Sequence, residues 1–176
     1  PGARKASWPP PLEIAARGCD RVAILVTDTT DHYMAPPHNL GPMLLSRFND
    51  AGVSDDRINV VHAAGMHGHR SAIDRFGADW LGRVNYIEHH PGCGSDLMYK
   101  GTTSLGTPVW INHAVSEVDY AIGIGGCAPS LFGFHDGAGI VLPGTAGRDT
   151  IRHNHTYILM DRPITSWGPG NPQRED

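Results

Sequence analysis

The stretch VVHAAGMHGHR, residues 60–70, sets two imidazoles one residue apart, His67 and His69, behind an apolar run and a small-residue turn. Such a pair admits three roles: joint metal ligation, proton transfer, or solvation in a loop. Two other clusters have the same character. GFHDGAG, residues 133–139, sets His135 and Asp136 among glycines, and RDTIRHNH, residues 148–155, carries His153 and His155. The chain holds 11 histidines and 22 glycines in 176 residues. Imidazole gains and loses a proton near neutral pH, and glycine lets backbone turn sharply or approach a ligand closely, so both counts direct attention to these loops.

Rigid elements must hold such loops. Arg21–Val26 (RVAILV) is a near-continuous apolar run, the pattern of a strand buried on both faces, and Val118–Ile124 is expected to be another. Ile58–His62 and the shorter Tyr86–His89 complete the strand set. Leu40–Ala51 spaces Leu40, Met43, Leu44 and Phe48 as one helical face, with Gly52 placed to cap it. Ser71–Leu81 predicts a helix with Ile73, Phe76 and Trp80 on one side, and Asp149–Met160 predicts a last one. Leu97–Thr103 and Pro108–Asn112, joined through Ser104–Thr107, form a hairpin pattern. The alternation gives an α/β class: a mostly parallel open sheet flanked by helices, with one antiparallel hairpin excursion. In such sheets ligands bind beyond the carboxyl ends of the strands. Three polar loops leave strands there: Asp28–Pro37, Gly65–Arg70 and Gly125–Gly139.

Bulk composition narrows the function. The chain is one domain by length, 40% hydrophobic and 18% charged, with net charge −4. No basic face is implied, so nucleic acid is not an expected partner. No apolar run approaches the roughly 20 residues of a membrane helix. Residues 1–11, PGARKASWPPP, are proline-rich and unlike a secretory leader; the chain starts without a methionine, which leaves room for residues upstream. Cys19, Cys93 and Cys127 are odd in number and widely spaced. That fits reduced thiols in a cytoplasmic setting rather than a disulfide framework or a CxxC zinc motif.

Five segments together resemble one family. TDTTD (27–31), AAGMH (63–67), LMYKGTTSLGTPVWIN (97–112), LPGTAGRDTIRHNH (142–155) and GNPQRED (170–176) occur in this order. As a set they resemble the N-terminal domain of the nickel-pincer lactate racemase family, over about Arg21 to Asp176. Composition sets off a proline-rich lead over 1–20, and the resemblance implies an α/β domain over 21–165 and a linker over 166–176 toward a C-terminal domain or companion chain that closes the active-site cleft. It implies racemisation or epimerisation of a small 2-hydroxy acid by reversible hydride transfer to a nickel-pincer nucleotide, with histidines moving the hydroxyl proton. His67 then sits at an acid–base position and His155 at the nickel-ligand position. Asp28, with Thr30, Gly137 and Gly139, is expected at the cofactor, where a carboxylate can also orient an imidazole. Thr102, Thr103 and Asn112 are expected to serve the structure. His69 falls beyond the matched residues and is expected at the surface or behind the site.

The pattern departs from the family at three positions. Asp31 stands where an arginine is usual, Ser130 follows Pro129 where the second acid–base histidine is usual, and Gly139 stands where a lysine tethers the pincer. The cofactor is therefore expected to be held without a covalent tether, and His135, in the same loop, to replace the second histidine. A substrate bulkier or differently charged than lactate is compatible with these changes. Two alternatives remain open: a catalytically degenerate cofactor-binding scaffold, and a metal-dependent hydrolase with His67 and His69 as ligands and His155 or Asp136 completing the site. An oligomer is compatible with these features.

Overall fold

The computed structural model describes residues 10–28, 33–67, 76, 78–130, 133–156, 171, 173 and 176. Among the described residues eight strands run in chain order: β1 (Val22–Val26), β2 (Ile58–His62), β3 (Asn85–Glu88), β4 (Leu97–Thr102), β5 (Pro108–Asn112), β6 (Tyr120–Ile124), β7 (Cys127–Ser130) and β8 (Gly133–Asp136). The main sheet has the order β3-β2-β1-β6, and every neighbouring pair in it is parallel. The α/β reading with a mostly parallel sheet and an antiparallel β4–β5 hairpin holds. Among the described residues the helices are α1 (Leu12–Ala15), α2 (Leu40–Asp50), α3 (Ala78–Leu81), α4 (His113–Ser116) and α5 (Arg148–Thr156).

β1 lies at the centre and all five of its residues are buried, as its unbroken apolar run demands. Alternation sends Val22, Ile24 and Val26 to one face, where Leu44, Leu45 and Phe48 of α2 meet Phe76 and Trp80. Ala23 and Leu25 face the other way, onto Ala63, Ala114 and Ile140. A third cluster, Ile111, Ala146 and Ile151, joins the hairpin to α5.

Within α2 the buried stripe is Gly41, Leu44, Leu45 and Phe48. Met43 is 57% exposed, so Leu45 and not Met43 completes the inner face. The helix ends as a Schellman motif: Gly52 has φ +95°, Val53 N–H donates to Phe48 O (3.0 Å) and Gly52 N–H to Asn49 O (2.9 Å). Phe76 and Trp80 are buried together, as the helical spacing requires, while Ile73 lies outside the described residues. The last helix begins one residue before its expected start, and residues 157–160 lie outside the described set.

Two local features differ from the sequence reading. β6 is not buried on both faces; it is the sheet edge, and half-buried Tyr120, Ile122 and Ile124 alternate with exposed Ala121 and Gly123. The segment 125–139, expected as one loop, contains a second antiparallel pair, β7 with β8, in which Ala128 opposes His135. Pro129 is tolerated there because each strand of a two-stranded pair has a free edge. Among the described residues no helix is long and apolar enough to cross a membrane.

A buried polar knot ties these layers together. His89, 1% exposed, follows β3; its Nε2–H donates to Ala146 O (2.8 Å) and its Nδ1 accepts from Asn112 Nδ2 (3.2 Å). Asn112 Oδ1 in turn accepts Ala114 N–H (2.9 Å), starting α4. Asn112 is thus structural, as expected. His89→Leu strands a carbonyl and an amide in the interior, each costing about 1–3 kcal/mol. We expect urea denaturation to show a loss of about 3 kcal/mol; a loss below about 1 kcal/mol would mean that the knot is dispensable.

Candidate active site

The chain runs β1, β2, β3 in one direction across the sheet and then returns to place β6 on the other side of β1. The strand order therefore reverses between β1 and β6, and ligands of open α/β sheets bind beyond the carboxyl ends at such a point. Asp28 stands two residues past the end of β1, at this switch. His67 stands five residues past the end of β2, next to β1.

The turn that carries His67 is fixed by backbone bonds. Ala63 N–H donates to Val26 O (2.8 Å), Gly65 N–H to Gly144 O (2.9 Å), and His67 N–H to Ala64 O (2.9 Å). Gly65 has φ +55°, the left-handed region that a residue without Cβ enters cheaply. The result brings His67 Nδ1 to 3.1 Å from Asp28 Oδ2, across 39 residues of sequence. An ionised carboxylate only accepts, so Nδ1 carries the hydrogen and Nε2 is left to exchange a proton with a ligand. The His67 side chain is 61% exposed and Asp28 35%, so the pair is held from behind while the ring stays accessible.

His67 lines a cleft of about 470 Å³ with Gly65 and Met66; its opposite wall is the loop after β3, including His90 and Cys93, with Arg148 alongside. That loop is anchored by His89 and by Arg148 N–H donating to Pro91 O (2.8 Å). A second cleft, about 420 Å³, adjoins it and shares Pro91, Gly92 and Arg148. The loop after β3 is the fourth at the sheet edge, beside the three expected from the sequence. The signal was HHPGCG at 89–94, directly after a strand.

The other expected residues are distributed as follows. His155 occupies the last turn of α5, half-buried with Nδ1 enclosed, and His153 is exposed. His155 does not line either cleft; Arg148, which lines both, begins the same helix about 10 Å along its axis. His135 lies on β8, and Gly137 and Gly139 form a 3-10 turn beyond it, where Gly139 O accepts Gly144 N–H (2.9 Å). Ser130 ends β7. Thr30, Asp31 and His69 lie outside the described residues. Among the described residues no group of three His, Cys, Asp or Glu side chains is arranged to hold a metal. Of the thiols, Cys19 is pushed above its ordinary range by burial and then by Asp119, whereas Cys93 contacts Ser95 Oγ (3.2 Å) beside the cleft.

A parallel α/β domain with an accessible histidine, oriented by a carboxylate at the topological switch point, defines a class of acid–base sites for small ligands. The chain belongs to the lactate racemase N-terminal domain family, whose model matches residues 8–168. It is 30% identical over 161 residues to lactate racemase of Lactiplantibacillus plantarum, an alignment covering 89% of this chain and 37% of that protein. The lactate racemase apoprotein of Thermoanaerobacterium thermosaccharolyticum shares the fold, with a TM-score of 0.78 and 24% identity, over 94% of this chain and 40% of that one. The chain thus spans well under half the length of the relatives it matches.

Proposed function

We propose that this chain forms the proton-handling half of a racemase or epimerase of small 2-hydroxy acids. The observation that carries the reading is the Asp28–His67 pair, seated at the switch point of a domain that belongs to the lactate racemase N-terminal family. His67 Nε2 takes and returns the hydroxyl proton of the substrate, and Asp28 fixes the tautomer that allows it. Mirror-image substrates present that hydroxyl on two sides of the carbon, so a second proton carrier is required. We assign this role to His135, on the strand pair that follows β6 at the same sheet edge.

A nickel-pincer nucleotide would be held here through one imidazole and without a covalent bond. Position 139 has no side chain to form a tether, and His155, with Nδ1 enclosed, would bind nickel through Nε2. Asp28, Thr30, Gly137 and Gly139 are assigned to that group. When bound, it supplies a ring carbon that accepts and returns hydride. The exposed His67 ring calls for a cover, which a C-terminal domain or companion chain would provide, in a cytoplasmic enzyme.

The full-length protein, produced alongside enzymes that make the cofactor, tests the reading through two readouts: nickel per chain and D/L interconversion of 2-hydroxy acids. His155→Ala should lower retained nickel at least about tenfold, while His67→Gln keeps nickel and loses turnover. Full nickel retention by His155→Ala removes His155 from its role. A nickel-loaded wild type that interconverts no hydroxy acid supports a degenerate scaffold instead, the reading favoured by Gly139 and Ser130.

A further inference from the structure

Arg148 stands where the two clefts meet, and both are lined by it. Its backbone is pinned by the bond to Pro91 O (2.8 Å), and its guanidinium lies over Gly92, with Nη2 2.9 Å from where a Cβ would be. Among the described residues this guanidinium has no carboxylate partner; Arg17, Arg21 and Arg152 share that condition, but of these four only Arg148 lines the two clefts. A positioned, unpaired guanidinium beside an accessible histidine suits a ligand carrying a carboxylate, which arginine grips through two parallel N–H bonds.

The neighbouring cleft differs in chemistry. Leu97 and Trp110 give it an apolar wall, and Gly147 lets both approach closely: a Cβ there would lie 2.8 Å from Leu97 Cδ1 and 3.1 Å from Trp110 Cβ. Trp110, 38% exposed, is braced by Tyr99 with ring centroids 5.0 Å apart. Asp149 stands at the rim of this cleft, and its charge disfavours an anion there. The charges thus set an orientation, with the carboxylate at Arg148 on the His67 side and an apolar group toward Trp110.

Resting on the 2-hydroxy-acid reading above, we propose that Arg148 anchors the substrate carboxylate and that the Leu97/Trp110 cleft receives a bulky apolar substituent. The substrates are then aryl or branched-alkyl 2-hydroxy acids; the methyl group of lactate would leave the 420 Å³ cleft almost empty.

Calorimetric titration of the full-length protein with 3-phenyllactate, lactate and the uncharged 3-phenyllactamide tests the assignment. Phenyllactate should bind at least about tenfold more tightly than lactate, since burying a ring removes much apolar surface from water. Arg148→Met should weaken phenyllactate at least about tenfold and leave the amide unchanged, a contrast that a merely structural arginine would not produce. Gly92→Ala, which displaces the guanidinium without removing its charge, should weaken phenyllactate in the same direction at an unchanged melting temperature. Trp110→Ala should erase the preference for phenyllactate over lactate. Lactate bound and racemised in preference to phenyllactate, or Arg148→Met binding phenyllactate like wild type, overturns this proposal and leaves the racemase reading standing. Neither acid bound nor interconverted overturns both.

Discussion

His67→Gln should lower D/L interconversion by about 10²–10⁴-fold, the range a positioned acid–base group supplies. Glutamine keeps polarity and approximate size but cannot exchange a proton near neutral pH, so the loss should fall on kcat and leave substrate affinity nearly unchanged. Asp28→Asn tests the second half of the pair. The Asp28 carboxylate accepts from Nδ1–H at 3.1 Å, whereas an asparagine amide can donate to Nδ1 and place the hydrogen on Nε2 instead. That tautomer cannot take the hydroxyl proton, so we expect kcat to fall at least about tenfold with the fold intact. Chiral chromatography of the equilibrating acid measures both variants, and added imidazole should restore part of the His67→Gln loss. If His67→Gln retains more than about a tenth of wild-type kcat, proton transfer at this residue is not what limits the reaction.

What the sequence discloses and what it hides follow from the range of the interactions involved. β1 and β2 are legible because burial on both faces needs apolar residues at nearly every position, a demand written locally. β6 is legible as a strand, but its edge position is not, because that depends on which strand comes to lie beside it. The alternation of Tyr120, Ile122 and Ile124 with Ala121 and Gly123 carried a hint: small residues on one face let Ile140 approach, its Cγ2 2.8 Å from where a Gly123 Cβ would stand. The β7–β8 pair was masked by Pro129 and the glycines around it, which read as loop until a partner strand supplies the bonds. His67 and Asp28 could each be singled out by type and position, yet their contact spans 39 residues and exists only once β1 and β2 pair in register, Val26 beside His62. Arg148 lies within the RDTIRHNH cluster, yet nothing local distinguishes an arginine that faces a cleft from one that faces bulk water.

The same long-range dependence makes Gly144 the most sensitive structural position near the site. A Cβ there would stand 2.3 Å from Ile140 O and 3.1 Å from the Cβ of Ala63, so backbone on one side and the first residue of the His67 turn on the other would both have to move. Gly144→Ala should destabilise the domain by about 1–3 kcal/mol, in the range of overpacking. Gly144 O also accepts the Gly65 N–H that holds the AAGMH turn, so the shift reaches His67, and displacement of a reacting group by about 1 Å can lower turnover about 10²-fold. Gly65→Ala provides the comparison. Its Cβ would meet nothing closer than Pro143 O at 3.4 Å, an ordinary contact, leaving only the left-handed backbone penalty of about 1–2 kcal/mol. Urea midpoints and kcat measured on both variants should therefore rank Gly144→Ala as the more damaging on each scale. The reverse order would show that the turn is held by its own conformation and not by the clamp across the sheet edge.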